Sequence, residues 1–259
     1  DNTTETAELR FDPSGDLTFV ASTISHGQGH RTIQTQIIVD LLGVEPERVA
    51  VLQGDTDVSA FGMGTGGSRS TIMTGSALTI AARKIIEKGK KLAAHLLEAS
   101  EVDIEFADGN FSVAGTDRVL TVHEIAAAAY DSNDLPDELE PGLYETGTYN
   151  AKTGNFPNGC HICEVEIDPD TGVTEMVNYC VVDDVGTIIN PMLVRGQIMG
   201  GIAQGMGQVL MEDKTYDHET GQLIAGSFMD YCMPRARDFC HVNFEENEVP
   251  SPTNPLGGK

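Results

Sequence analysis

With 259 residues, 40% of them hydrophobic, the chain is long enough to bury one large core or two ordinary ones. A formal charge of −24 speaks against nucleic acid and anionic membrane surfaces as partners, because both need basic patches to neutralise phosphate. No apolar run reaches transmembrane length and no signal peptide opens the sequence. The five cysteines, an odd number, fit a reducing compartment better than a disulfide framework. We therefore expect a cytoplasmic protein.

The first predicted element is a hairpin. Residues 5–11 and 17–23 flank Pro13-Ser14-Gly15-Asp16, a turn cluster that puts Gly where positive φ costs little. The turn Gly27-Gln28-Gly29-His30 then opens a helix over residues 30–42, whose Ile33, Ile37, Ile38, Leu41 and Leu42 recur at helical spacing before Gly43 stops it. Residues 48–52 read as a short strand leading into Gly54-Asp55-Thr56-Asp57. A second turn, Gly64-Thr65-Gly66-Gly67-Ser68-Arg69-Ser70, opens a long helix over residues 70–99, with the neighbourhood of Ser68 to Ser70 as its cap. The basic cluster at 83–91 reads as a solvated face of that helix.

Strands at 102–107 and 110–113 surround Asp108-Gly109, a strong hairpin signal, and an Ala-rich helix follows at 121–130. The stretch 131–145 is acidic, contains Pro136 and Pro141 and has no Lys or Arg, which suits an exposed connection between domains. Beyond it the plan repeats. Residues 160–167 and 173–182 bracket Asp168-Pro169-Asp170-Thr171-Gly172 as a hairpin, and 191–212 reads as a helix with Pro in its first turn. The expected fold class is α+β: two similar units, 1–140 and 141–259, each with hairpins, mixed sheet and long helices packed on one face. Ligand sites favour the interface between such units.

Cys160 and Cys163 form a C-x-x-C, but positions three apart on a strand face opposite sides, so no shared metal site is expected. The Gly-Gln-Gly between His26 and His30 likewise removes the helical spacing that would make them zinc ligands.

The glycine turns carry the chemistry. Glycine lets backbone approach a ligand without a Cβ, and a helix N-terminus offers unpaired N–H donors and the positive end of the macrodipole. Phosphates and oxyanions bind there. Gly66, Gly67, Ser68, Arg69 and Ser70 offer successive N–H groups, hydroxyls and a guanidinium. A third glycine-punctuated run spans 197–207. Its glycines have either close helix packing or close approach of a cofactor to offset their low helix propensity.

In this order the motifs resemble the C-terminal half of the molybdenum-binding subunit of the molybdenum hydroxylases, the xanthine dehydrogenase, aldehyde oxidase and aerobic carbon monoxide dehydrogenase family. The likeness is carried by His26-Gly27-Gln28-Gly29-His30, Gly54-Asp55-Thr56-Asp57, residues 64–71, Asp184-Val185-Gly186 with Asn190-Pro191, residues 200–207, and Pro252-Thr253-Asn254-Pro255-Leu256-Gly257. It implies that His26, Gly27, Gln28, Gly29, His30, Gly66, Gly67, Ser68, Arg69, Ser70 and Gln204 neighbour a molybdopterin cofactor carrying molybdenum, often extended as a cytosine dinucleotide. Gln204 falls where the family places a glutamine beside the metal's oxo ligand.

The implied reaction is oxidative hydroxylation with water as oxygen source, a glutamate acting as base and electrons leaving through 2Fe–2S clusters and FAD in partner subunits or domains. The family's Gly-x-Gly-Glu base motif would follow directly after Lys259, so no catalytic residue and no metal ligand is assigned here. Residues 1–259 by themselves are expected to be catalytically incomplete. Expected partners are the N-terminal half of the molybdenum subunit, the iron–sulfur and flavin subunits, and a small-molecule substrate: an aldehyde, N-heterocycle, purine or carbon monoxide. Val185 departs from the Cys that carbon monoxide dehydrogenase-like members tend to have, whereas residues 250–255 look like theirs, so the motifs assign no substrate.

A non-redox phosphate-binding or assembly module would use the same turns, and bound molybdenum separates the two readings. A P-loop or dinucleotide fold is disfavoured, because no Gly-x-x-x-x-Gly-Lys-Ser/Thr appears and no strand feeds a Gly-x-Gly-x-x-Gly turn.

Overall fold

A computed structural model describes residues 4–59, 61–131, 133 and 135–259. It divides into two compact units: one runs to Asn155 and takes in Pro250–Lys259, and the other is Phe156–Val249.

In the first unit β1 (Thr4–Phe11) and β2 (Leu17–Ala21) form the expected hairpin, with Phe11 opposite Leu17. The chain then crosses over through α1 (His30–Leu42) to β3 (Val49–Gln53), which pairs parallel with β2. Alternation along β1 buries Leu9 and Phe11 completely, and β2 adds Phe19. The helix α2 (Ser70–Leu96) packs on this sheet with Leu78, Ala81 and Ile85 fully buried. A small antiparallel sheet of β4 (Ile104–Ala107), β5 (Asn110–Val113) and β6 (Val119–Thr121) follows. The helix α3 (Val122–Ala128) is closed by a capping box between Thr121 and Glu124.

The acidic stretch at 131–145 does not leave the unit. Positions 132 and 134 lie outside the described residues, but Leu143 is fully buried and its carbonyl accepts from the Phe11 N–H at 2.9 Å. β7 (Tyr144–Asn150) then pairs antiparallel with β1, completing the order β3-β2-β1-β7. Gly147 is what lets β7 lie against α2: a Cβ there would stand 1.9 Å from the Ala77 carbonyl oxygen. The compact units therefore divide after Asn155 rather than at 140, and residues 250–259 return to the first. The basic cluster keeps the solvated face expected of it, with Arg83, Lys84 and Lys91 exposed. Lys84 Nζ donates to the Thr146 carbonyl at 2.7 Å, and Lys88 sits 5.4 Å from the centre of the Tyr144 ring.

The second unit repeats the topology. β8 (Asn158–Ile167) and β9 (Thr174–Asp184) form a hairpin, α4 (Pro191–Leu210) crosses over, and β10 (Val242–Glu246) pairs parallel with β9. The sheet order β10-β9-β8 matches β3-β2-β1. Two similar α+β units are thus what the hairpin, turn and helix signals specify. Among the described residues no helix is long and apolar enough to cross a membrane.

Candidate functional site

Because β2 and β3 run parallel, the loops after them emerge at the same end of the sheet, where ligands of crossover folds bind. The loop after β2 holds the first glycine turn. Gly27 has φ 100° and a Cβ there would meet nothing, while Gly29, at φ 79°, stands before α1 and provides no side-chain cap. The Gln28 side-chain oxygen accepts from the His26 N–H, so its amide N–H groups are what remain for a ligand. His30 is the first residue of α1 and is buried, with Nδ1 unpartnered among the described residues. Burial holds its pKa below the ordinary range, His26 adds to this, and a hydrogen bond to the Ile24 backbone opposes it.

The second turn lies beside the first. The Thr65 hydroxyl bonds both backbone groups of Ile24, and the Gly64 N–H donates to Ser22 Oγ at 3.3 Å. Behind them Glu5, which is 1% exposed, accepts from Ser22 Oγ at 2.7 Å and from the Met63 N–H at 3.2 Å. The cap of α2 falls within the expected 68–70, but no side chain there makes a capping bond. Gly67 and Ser68 are both left-handed, at φ 60° and 56°, and Arg69 is the N-cap in helical conformation without a side-chain capping bond, its Nη2 donating to the Gly64 carbonyl at 3.4 Å. An N-cap side chain needs an extended backbone to reach the first-turn N–H groups, and this turn denies it.

The first turn of α2 is consequently open. Among the described residues Arg69 Nε and Ser70 Oγ are buried with no partner, and Ser70 is only 7% exposed. A buried polar atom left unpaired costs about 1–3 kcal/mol, which an incoming hydrogen-bonding group removes. Next to them is a cavity of about 250 Å³ lined by Gly67, Ser68, Arg69, Ile72, Lys152 and Asn155. Open N–H groups at a helix N-terminus, a guanidinium, a hydroxyl and an ammonium form a donor set that fits phosphate.

Lys152 is absent from the sequence-based site. One signal marked it: it is the single Lys or Arg between 131 and 194 of a strongly acidic chain. Its loop also ties down the C-terminal segment. Asn155 Oδ1 accepts from Ser251 Oγ at 2.8 Å and Thr253 Oγ1 at 2.6 Å, and a Cβ at Gly75 of α2 would lie 2.4 Å from Leu256.

In the second unit Gln204 is exposed on α4, and its spacing from Gly196 and Gly200 puts all three on one helix face. A Cβ at Gly196 or Gly200 would meet nothing, so packing among the described residues does not offset the 0.8–1.0 kcal/mol or so that each glycine costs a helix. The Asp184-Val185-Gly186 motif is a tight turn in which Asp184, 5% exposed, accepts from the N–H groups of Gly186 and Val249. Asn190 caps α4 through the Leu193 N–H at 3.0 Å. Cys160 and Cys163 are exposed free thiols on β8. The two glycine turns are thus brought together in the first unit, and Gln204 belongs to the second.

A family model described as the molybdopterin cofactor-binding domain matches residues 1–240. The chain belongs to this family. It is 39% identical to the carbon monoxide dehydrogenase large chain of Hydrogenophaga pseudoflava over 98% of its own length and 32% of that protein's. It is likewise 39% identical to the nicotine 6-hydroxylase large subunit of Paenarthrobacter nicotinovorans, covering 98% of this chain and 31% of that one. Quinoline 2-oxidoreductase from Pseudomonas putida 86 superposes with a TM-score of 0.89 at 39% identity, covering 100% of this chain and 33% of its own. The molybdopterin-binding chain therefore spans about a third of the length of these relatives.

Proposed function

We propose that this molybdopterin-binding chain holds the anionic tail of the cofactor within the large subunit of a molybdenum hydroxylase. The observation that carries the reading is the open N-terminus of α2, with Arg69 Nε and Ser70 Oγ buried and unpartnered among the described residues, beside Lys152. The turn at 66–70 and Lys152 bind phosphate, with the tail extended as a cytosine dinucleotide. His26, Gly27, Gln28, Gly29 and His30 hold the adjoining part of the cofactor through backbone N–H groups, the Gln28 amide and the His30 ring. Gln204 presents its amide to the metal end. When bound, the cofactor supplies the redox centre for oxidative hydroxylation of an aldehyde, N-heterocycle or carbon monoxide with water as oxygen source. The remaining partners are the other part of the large subunit and subunits or domains carrying 2Fe–2S clusters and FAD. Five free cysteines favour a reducing, cytoplasmic setting.

The test is the native large subunit with Arg69→Ala and Lys152→Ala, analysed for molybdenum and for nucleotide released on denaturation. Loss of one charge-assisted contact, about 1.5–3 kcal/mol, lowers cofactor retention at limiting cofactor by tenfold or more. Unchanged retention overturns the assignment of the cradle, and a native subunit that holds phosphate ligand but no molybdenum replaces it with a non-redox binding module.

A further inference from the structure

The cavity beside the α2 N-terminus is lined from two stretches of chain: the turn into α2, through Gly67, Ser68 and Arg69, and the loop that follows β7, through Lys152 and Asn155. That loop also holds a third stretch, residues 250–258. The hydroxyls of Ser251 and Thr253 converge on Asn155 Oδ1, at 2.8 and 2.6 Å. The Tyr149 hydroxyl of β7 donates to the Thr253 carbonyl at 2.9 Å, and the Ser251 N–H donates to the Gly257 carbonyl at 2.8 Å. Asn254, 9% exposed, bonds both backbone groups of Gly258. This self-bonded segment rests on α2, with Leu256 over Gly75, where a Cβ would leave it no room, and Gly258 beside Ile72. Ile72 in turn lines the cavity.

A hydroxyl has one hydrogen to give, so with both hydroxyls on Asn155 Oδ1 the side-chain attachment of the segment to the loop runs through a single oxygen. A carboxamide has two ends. Once its oxygen is committed, the amide N–H groups are what Asn155 offers to an anion in the cavity that it lines. An N–H bond to an anion polarises the amide and strengthens the bonds its oxygen accepts.

We infer that Asn155 is a two-sided positioning residue, coupling phosphate in the cavity to the seating of residues 250–258 on α2. The inference rests on the reading above that the cofactor's phosphates occupy this cavity. Coupling of this kind is reciprocal: phosphate orders the segment, and the seated segment raises the affinity for phosphate by the same factor.

The test follows hydrogen exchange in the native large subunit, purified with its cofactor and from cells unable to make it. Exchange across residues 250–258 is expected to be slower by about fivefold or more with cofactor, beyond any change in the β1–β2 hairpin. Asn155→Ala removes that difference. Asn155→Asp keeps an acceptor for both hydroxyls but replaces the amide N–H groups with a carboxylate oxygen, so it holds the segment in the cofactor-free subunit and retains less cofactor. Thr253 does not line the cavity, yet Thr253→Val, which takes away one hydroxyl, lowers cofactor retention by reciprocity. Equal exchange with and without cofactor, or a slowing that the hairpin shares in full, overturns the inference even where the variants fail to fold. A cofactor dependence that survives Asn155→Ala, or parental retention in the Asp or Val variant, overturns it as well. Molybdenum and nucleotide analysis of the same samples separates the two claims. A native subunit containing neither sinks the cofactor reading, and inorganic pyrophosphate added to it then replaces the cofactor in the exchange comparison, with the same outcomes deciding.

Discussion

Ile24 and Thr65, 41 residues apart, hold each other by a reciprocal pair of hydrogen bonds: the Ile24 N–H donates to Thr65 Oγ1 at 2.8 Å, and the Thr65 hydroxyl donates to the Ile24 carbonyl at 2.7 Å. This clasp joins the two glycine turns, so neither is positioned without the other. Thr65→Val keeps the shape of the side chain and removes both bonds, leaving two backbone groups short of partners at a cost of about 1–3 kcal/mol. The expected outcome is a lower melting temperature and reduced molybdenum retention in the native subunit, with Thr65→Ser close to the parent. A Val variant that matches the parent in both measurements rules the clasp out as a determinant of the site.

Gly66 tests whether a ligand approaches the second turn. A Cβ there would meet nothing, and Gly66 is not among the left-handed glycines. Gly66→Ala should therefore leave the stability of the cofactor-free protein within about 0.5 kcal/mol, as for other exposed substitutions. In the native subunit the added methyl group intrudes on a ligand seated against the backbone, so cofactor content should fall. Equal cofactor content in the variant and the parent would show that nothing approaches at this position.

The buried His30 sets a pH dependence. Burial, reinforced by His26, puts its folded pKa below the value of 6.5 expected when unfolded. Below pH 6.5 the unfolded chain therefore binds more protons than the folded one. Stability contributed by the neutral ring is present above that pH and is lost as the pH falls towards the folded pKa. His30→Gln should flatten this part of the profile when urea midpoints are compared at about pH 8 and pH 5. A slope identical to the parent's would mean that other groups set the acid sensitivity.

Gly147 fixes how closely β7 and α2 approach. The Cβ of Gly147→Ala would fall 1.9 Å from the Ala77 carbonyl oxygen and 2.6 Å from the Ala81 nitrogen, both backbone atoms that cannot swing aside. Overpacking of this kind costs about 1–3 kcal/mol or more. Urea unfolding of the variant should show the midpoint shifted down by that amount, and an unshifted midpoint would contradict the close contact.

The two glycine turns of the candidate site were legible because their signals are local. Gly27, Gly29, Gly64 and Gly67 adopt positive φ, a conformation that glycine reaches without a Cβ clash, so the two turns could be placed from residue type alone. Capping was not legible in the same way. Ser68 and Ser70 are good capping residues, but the left-handed backbone at Ser68 removes the geometry that capping needs, and the open helix end that results is the feature suited to an anion. Glu5 and Lys152 were missed because each acts through neighbours far along the chain, Glu5 through Ser22 and Met63, Lys152 through the α2 terminus.

By itself the sequence determined the hairpins, the crossover helices, the glycine turns and the family, since periodicity, turn chemistry and motif order act over a few residues at a time. The tertiary structure decided that β7 closes on β1, that residues 250–259 return to the first unit, and that Lys152 joins Arg69 at one cavity. Each of these depends on which strand edge, helix face or buried polar atom is still unmatched once the local elements have formed, and that is a property of the assembled surface rather than of any segment.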